Sequence, residues 1–208
     1  GVRLLHSTWT YESAAITAMG ISNPDDVQFL WLPLAHVFDK VLLTFPMQVG
    51  FPTAIDGRVD KIVENLAVVR PTFMGAAPRI FEKVYARIGM MMEEEGGIKH
   101  KLFSWASEVG AKVAELASEN KSPSGLLAVQ HKIADKIIGT KIRERFGGRV
   151  RMFISGSAAL NHDIAKWFYG MGLPILEGYG LTETTAAAFV GRPWALKIGS
   201  VGWPLPGT

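Results

Sequence analysis

The densest group of ligand-capable side chains is Gly178-Tyr-Gly-Leu-Thr-Glu-Thr184. Within these seven residues stand the Tyr179 ring, the Thr182 and Thr184 hydroxyls and the Glu183 carboxylate. An aromatic face can stack on a nucleobase, hydroxyls can bond a phosphate, and a carboxylate can hold Mg²⁺. Gly178 and Gly180 let the backbone approach a ligand closely. Ser155-Gly-Ser-Ala-Ala159 is a second small-residue candidate loop. The competing reading of 178–184 is a tight turn entering a helix, with Thr182 as N-cap and Glu183 in the first turn. His36 and Asp39 stand three residues apart, which suits an acyltransferase base or a local hydrogen bond at a helix start.

Other signatures fail on spacing. Gly178-x-Gly180 meets Glu183 where a third glycine would complete a dinucleotide fingerprint, and no GxxxxGK[ST] is present. Ser157 lacks the flanking glycines of a nucleophile elbow. The five histidines, His6, His36, His100, His131 and His162, show no metal-ligand spacing. With no cysteine, disulfides, thiolate metal sites, Cys nucleophiles and iron–sulfur clusters are excluded, and a reducing compartment fits.

The elements that must position these residues follow from periodicity. Val27–Leu34, Phe51–Ile55 and Pro71–Gly75 read as strands, alternating with helices over 36–49 and 59–69. Pro46 is expected to kink or break the first of these helices. Val59, Ile62, Val63 and Leu66 are expected to share a buried face. Pro78 suits the first turn of the next helix. From about 79 to 147 the pattern is helical, with turns at Glu93–Gly97 and Asn120–Gly125. Two stripes, Trp105-Val109-Val113-Leu116 and Leu126-Val129-Ile133-Ile137-Ile138, read as core faces. Strands resume at Arg149–Ile154, Pro174–Glu177 and Ala186–Val190, with a helix from an Asn161 N-cap to about Gly170. The rhythm predicts an α/β fold with a parallel, helix-covered sheet. Both candidate loops follow strand C-termini, where open α/β sheets bind ligands.

A chain of 208 residues with 48% hydrophobic and 20% charged residues is globular. Its +3 net charge is scattered, so no nucleic-acid footprint is indicated. The longest uncharged stretch, Val41–Ile55, has 15 residues and two prolines, too short for a transmembrane span. The chain opens without Met or signal-peptide pattern and closes on Pro-Leu-Pro-Gly-Thr208, which reads as a segment of something longer.

Taken together, the segments resemble the adenylate-forming, AMP-binding enzymes, and within them the long-chain fatty acyl-CoA synthetases. Gly178–Thr184 resembles the family's adenine and Mg²⁺ loop, and Ser155-Gly-Ser-Ala-Ala-Leu160 its adenine-contacting loop. Trp31-Leu-Pro-Leu-Ala-His36 is similar to the segment beside the acyl carboxylate, and Val201–Gly207 to the strand region that follows. Pro78–Tyr85 and Lys141–Gly148 are similar to segments of the long-chain branch, and Gly1-Val-x-Leu-x-His6 to residues just after the phosphate-binding loop. The blocks stand in family order from one end of the chain to the other.

The resemblance implies part of one AMP-binding domain over 1–208, with a helical insertion at about 79–147. The phosphate-binding loop is expected before Gly1, and the ribose-binding Asp, hinge and C-terminal domain after Thr208. It implies a two-step ligase: a long-chain fatty acid and ATP form acyl-AMP and pyrophosphate, and coenzyme A then displaces AMP. Ser157 and Ala158 would border the adenine, and Glu177, Gly178, Tyr179 and Gly180 would cradle the base. Thr182 would bond the α-phosphate, Glu183 would ligate Mg²⁺, and His36 would sit by the carboxylate. Ser157-Ala158-Ala159 replaces the commoner Gly-Ala-Pro, and no aromatic gate is identifiable among Val37, Phe38 and Lys40. The implied setting is cytoplasmic, with peripheral membrane contact compatible with lipid-soluble acids. The alternatives are an acyl-AMP ligase serving a carrier protein, and a non-catalytic α/β binding module.

Overall fold

The computed structural model describes residues 1–208. Seven strands form one sheet: β1 (Gln28–Leu30), β2 (Thr53–Ile55), β3 (Phe73–Ala76), β4 (Met152–Ser155), β5 (Ile175–Leu181), β6 (Ala186–Val190) and β7 (Trp203–Pro204). Their order is β2-β1-β3-β4-β5-β6-β7, parallel through β5 and antiparallel from β5 to β7. The helices are α1 (His6–Ala18), α2 (Val37–Val49), α3 (Ile62–Val69), α4 (Pro78–Glu95), α5 (Gly97–Ser118), α6 (Gly125–Ala134), α7 (Thr140–Arg145) and α8 (His162–Gly170). No helix is long and apolar enough to cross a membrane.

Strand side chains alternate between two cores. On β4, Met152 and Ile154 join α1 and α2 through Ile16, Val41, Leu42 and Phe45, whereas Phe153 faces Phe81, Phe146 and Phe168. Both faces are thus covered, as a parallel sheet requires. The strand order turns back at β1 and β3, which makes the carboxyl ends of the central strands the expected ligand crevice.

The predicted α/β architecture is the one observed, with shifts in several elements. The first strand stops at Leu30 and not Leu34; Pro33 has no N–H to donate, and Leu32–Ala35 turn out toward the sheet's carboxyl edge. Pro46 does not end α2, which continues to Val49. Its missing N–H would have bonded the Leu42 carbonyl, and Gln28 Nε2 donates to that oxygen instead at 2.7 Å. In the 59–69 segment a 3-10 turn occupies Val59–Lys61 and α3 begins at Ile62. Ile62 and Leu66 are buried as expected, while Val63 is 69% exposed and Val59 60%. Glu93–Glu95 end α4 as helix, leaving Gly96 alone between α4 and α5, with Gly97, also at positive φ, opening α5.

The second helical stripe is also corrected. Val109 and Val113 are buried on α5 as expected, but Leu126, Val129 and Ile133 are exposed, Leu126 by 73%. Helix α6 turns the smaller Ala134, with Leu127 beside it, toward Ala106 and Val109 of α5. Ala134 carries so little bulk that the helices meet along that line, which leaves the larger side chains on the outer face.

Candidate functional site

The expected Asn161 cap is present, its Oδ1 accepting the N–H groups of Asp163 and Ile164 and starting α8 clear of the Ser155–Ala159 loop. The 178–184 segment is not a loop from Gly178 onward. Strand β5 continues to Leu181 and pairs with β6, Gly178 opposite Val190 and Tyr179 opposite Phe189. The helix-cap reading of Thr182 and Glu183 fails, because the chain turns directly into β6. Thr184 Oγ1 accepts the Leu181 N–H at 2.9 Å and lies 3.1 Å from the Ala186 carbonyl. That hydroxyl therefore holds the turn, and it leaves Thr182 and Glu183 exposed. Thr185 and Ala186 have φ of +59° and +95°, conformations that cost a non-glycine residue about 1–3 kcal/mol each. Gly180 is required beside them, since a Cβ there would run into the Ala186 carbonyl.

These elements enclose a cavity of about 380 Å³ at the carboxyl ends of β1, β4 and β5. His36, Ser157, Gly178, Tyr179, Gly180, Thr182 and Glu183 all line it. Two expected residues do not. Ala158 lies past the rim, and the Glu177 carboxylate instead accepts the Gly199 N–H at 3.0 Å. Ser157 takes a left-handed φ of +72°, which turns its exposed side chain at the loop apex.

Three further residues shape the site. Phe38 lines the cavity, and its ring packs so closely on Gly75 and Gly156 that a Cβ at either would touch it. Glycine inside a strand pattern marks such an approach, and Gly75 was the available signal. Ser155, the first residue of the small-residue loop read from the sequence, ends β4 at the cavity, and its hydroxyl is buried with no partner in the chain. Glu12 of α1 accepts the Ala187 N–H at 2.9 Å behind the turn; no helix was read from the sequence over this stretch, and nothing local marked the residue.

His36 stands exposed at the start of α2 and makes no capping bond. The expected local hydrogen bond to Asp39 is not formed: Asp39 is 3% exposed and its Oδ1 has no partner. Burial pushes the Asp39 carboxyl up to about 6, against the opposing pull of His36. Burial likewise raises Glu12 to about 7, opposed by the Ala187 N–H.

The donor set around Thr182 and Glu183 is all oxygen, which suits a hard cation such as Mg²⁺. No group of three or more His, Cys, Asp or Glu side chains could hold an ion by itself. A cation here would take most of its ligands from phosphate and water, the usual habit of Mg²⁺ in nucleotide sites.

The family model "AMP-binding enzyme" matches residues 1–208. Fatty acyl-CoA synthetase A of Dictyostelium discoideum is 30% identical over 99% of this chain and 30% of its own length. Long chain acyl-CoA synthetase 3 of Arabidopsis thaliana is 34% identical over 87% of the chain and 27% of its own length. The chain thus spans roughly a third of the length of such relatives. Among solved structures, a long-chain-fatty-acid-CoA ligase from Archaeoglobus fulgidus matches 99% of this chain and 33% of that one, with TM-score 0.63 and 14% identity. o-Succinylbenzoate CoA synthetase of Bacillus subtilis, in complex with its acyl-adenylate intermediate, matches 99% of this chain and 32% of that one, with TM-score 0.62 and 16% identity. These likenesses show that the fold is that of the N-terminal domain of adenylate-forming enzymes. The cavity at the carboxyl end of the sheet is where such a fold binds ligands, and the chain belongs to the AMP-binding enzyme family.

Proposed function

We propose that this chain supplies the nucleotide-facing half of a long-chain fatty acid–CoA ligase. The reading is carried by one observation: Ser157, Gly178–Glu183 and His36, far apart in sequence, line a single cavity. The reaction is ATP-dependent. The acid's carboxylate attacks the α-phosphorus, pyrophosphate leaves, and the thiol of coenzyme A then displaces AMP from acyl-AMP. Such chemistry needs positioning and charge neutralisation more than a protein nucleophile.

Gly178 and Gly180 present bare backbone to an adenine, and the half-exposed Tyr179 ring offers a face to stack on it. Ser157 borders the same base. Thr182 bonds the α-phosphate. Glu183, beside it, ligates Mg²⁺. When bound, the cation neutralises phosphate charge. His36, on the opposite wall, stands where the acid's carboxylate enters, and Phe38 closes the floor against water. The helices α4 to α7, between β3 and β4, support reading about 79–147 as a helical insertion of this domain. The names of the relatives, fatty acyl-CoA synthetase and long chain acyl-CoA synthetase, support a fatty acid and coenzyme A as the other substrates.

The test is fatty-acid-dependent exchange of pyrophosphate into ATP by the full-length protein, with Glu183→Gln beside it. The exchange should require a long-chain acid and should fall about 100-fold or more in the variant, as expected for loss of a charge ligand to the reacting phosphate. Absence of exchange with every carboxylic acid, in a folded protein, would refute the ligase reading.

A further inference from the structure

The turn that carries Thr182 and Glu183 has two sides. One faces the cavity; the other, with Thr184 and Thr185, borders a groove that contains Glu12 of α1. Glu12 is 3% exposed, and its neighbours on α1, Ala15 and Ile16, belong to the core. Glu12 thus sits between that core and the groove, which Thr8, Thr184, Thr185 and Glu183 also line. Burial penalises the charged form of the carboxyl, so an acid is kept at this position against the preference of its surroundings.

The bond that Glu12 makes is specific. Its Oε1 accepts the N–H of Ala187 at 2.9 Å. Ala187 is the strand partner of Gly180, and it follows directly on the left-handed Thr185 and Ala186. Conformations of that kind persist only where the surroundings over-determine them. Inside the turn, the Thr184 hydroxyl and the N–H groups of Thr184 and Thr185 provide bonds to residues 181 and 182. Among side-chain hydrogen bonds, the one from Ala187 to Glu12 ties the end of this turn to another element.

We infer that Glu12 is a positioning residue, whose carboxylate anchors the Ala187 amide and thereby sets Thr182 and Glu183 toward the cavity. It does not touch the substrate. The inference rests on the reading of Thr182 and Glu183 as Mg-ATP ligands, and it adds a residue that acts through the backbone behind them. The role needs an acceptor oxygen, not a charge, so glutamine should serve in its place.

The experiment uses full-length wild-type protein, Glu12→Gln and Glu12→Met, the last filling the same space without an acceptor. Two quantities are read: the Mg²⁺ concentration giving half-maximal ATP–pyrophosphate exchange, and amide hydrogen exchange of a peptide covering 181–190. In Glu12→Met the Mg²⁺ midpoint should rise about fivefold or more, the effect of one lost hydrogen bond, and amide exchange should quicken. In Glu12→Gln both should stay within about twofold of wild type. A merely structural role would lower the amplitude of activity in Glu12→Met and leave the Mg²⁺ midpoint unmoved, and that result would overturn the inference. Damage in Glu12→Gln equal to that in Glu12→Met would overturn it as well. If wild type shows no ATP–pyrophosphate exchange, the ligase reading is what fails. The anchoring is then decided by amide exchange alone, and equal rates in wild type and Glu12→Met would refute it.

Discussion

At the level of single residues, the site sets ligand-capable side chains against a backbone that leaves them free. Thr184 spends its hydroxyl on the turn, while the Thr182 hydroxyl and the Glu183 carboxylate stay exposed for a ligand. Asp39 shows the opposite case, a carboxyl buried without a partner for Oδ1. Its pKa is raised to about 6 by burial, so the native state favours the protonated form. Stability from this group is complete below the ordinary aspartate range near pH 4 and is lost as pH rises through about 6. Asp39→Asn should therefore stabilise the fold at about pH 8 by roughly 1–2 kcal/mol, allowing for partial solvent screening, and should give no gain at about pH 4. Thermal denaturation at the two pH values measures this, and a variant less stable at both would mean that Asp39 has a partner. The residue types in Gly178–Thr184 were legible because glycine, threonine, tyrosine and glutamate each carry their chemistry with them. Phe38 was not: its place in the cavity depends on Gly75 and Gly156 coming within reach of the ring.

At the level of elements, α2 illustrates how a sequence rule is met from outside the element. Proline in a helix interior deprives the carbonyl four residues earlier of its donor. Here that carbonyl belongs to Leu42, and β1 supplies the missing donor from Gln28, a fully buried residue. Gln28→Leu should cost about 1–3 kcal/mol by leaving the Leu42 carbonyl unpaired in the core. In a Pro46→Ala background the helix provides its own N–H to Leu42, and the cost of Gln28→Leu should shrink by about 1 kcal/mol. Denaturant unfolding of the four proteins closes this cycle, and equal costs in both backgrounds would show that the side-chain bond contributes nothing. Most element types were readable from periodicity, but α1 was not among them and Gly178–Leu181 read as a loop where β5 continues. Faces were readable only in part. On α3, Val63 is exposed although it follows the buried Ile62 directly, and the contact line of α6 was set by Ala134 and not by its larger neighbours.

On the scale of the whole molecule, the sheet is tied at one end and open at the other. Asp26, Thr72 and Arg151 precede β1, β3 and β4. Arg151 reaches the buried Asp26 carboxylate at 2.6 Å, and the Thr72 hydroxyl donates to it at 2.6 Å. Burial alone would raise the Asp26 pKa, but these bonds hold it below the usual carboxylate range. The opposite ends of β1, β4 and β5 are left for the cavity. The long helical excursion between β3 and β4 returns to the body where α5 crosses α8 at Gly110 and Gly170, whose backbones meet without side chains between them. Gly110→Ala should destabilise the protein by about 1–3 kcal/mol, although alanine is the better helix former, because a methyl group there forces the two helices apart. Calorimetry measures it, and a stabilised variant would show that the crossing can spread.

By itself the sequence determined the alternation of strands and helices, the Ser155–Ala159 loop at a strand end and the residue types able to meet a nucleotide. These depend on local composition and period, which any stretch of chain carries with it. Tertiary structure alone decided that β5 runs on through Gly180 into a hairpin, that Glu177 turns to Gly199 and away from the cavity, and that Glu12 reaches Ala187 across 175 residues. The reason is physical: a strand's partner, a side chain's neighbour and a buried acid's acceptor role are fixed by what packs against them, and such contacts join segments that are remote along the chain.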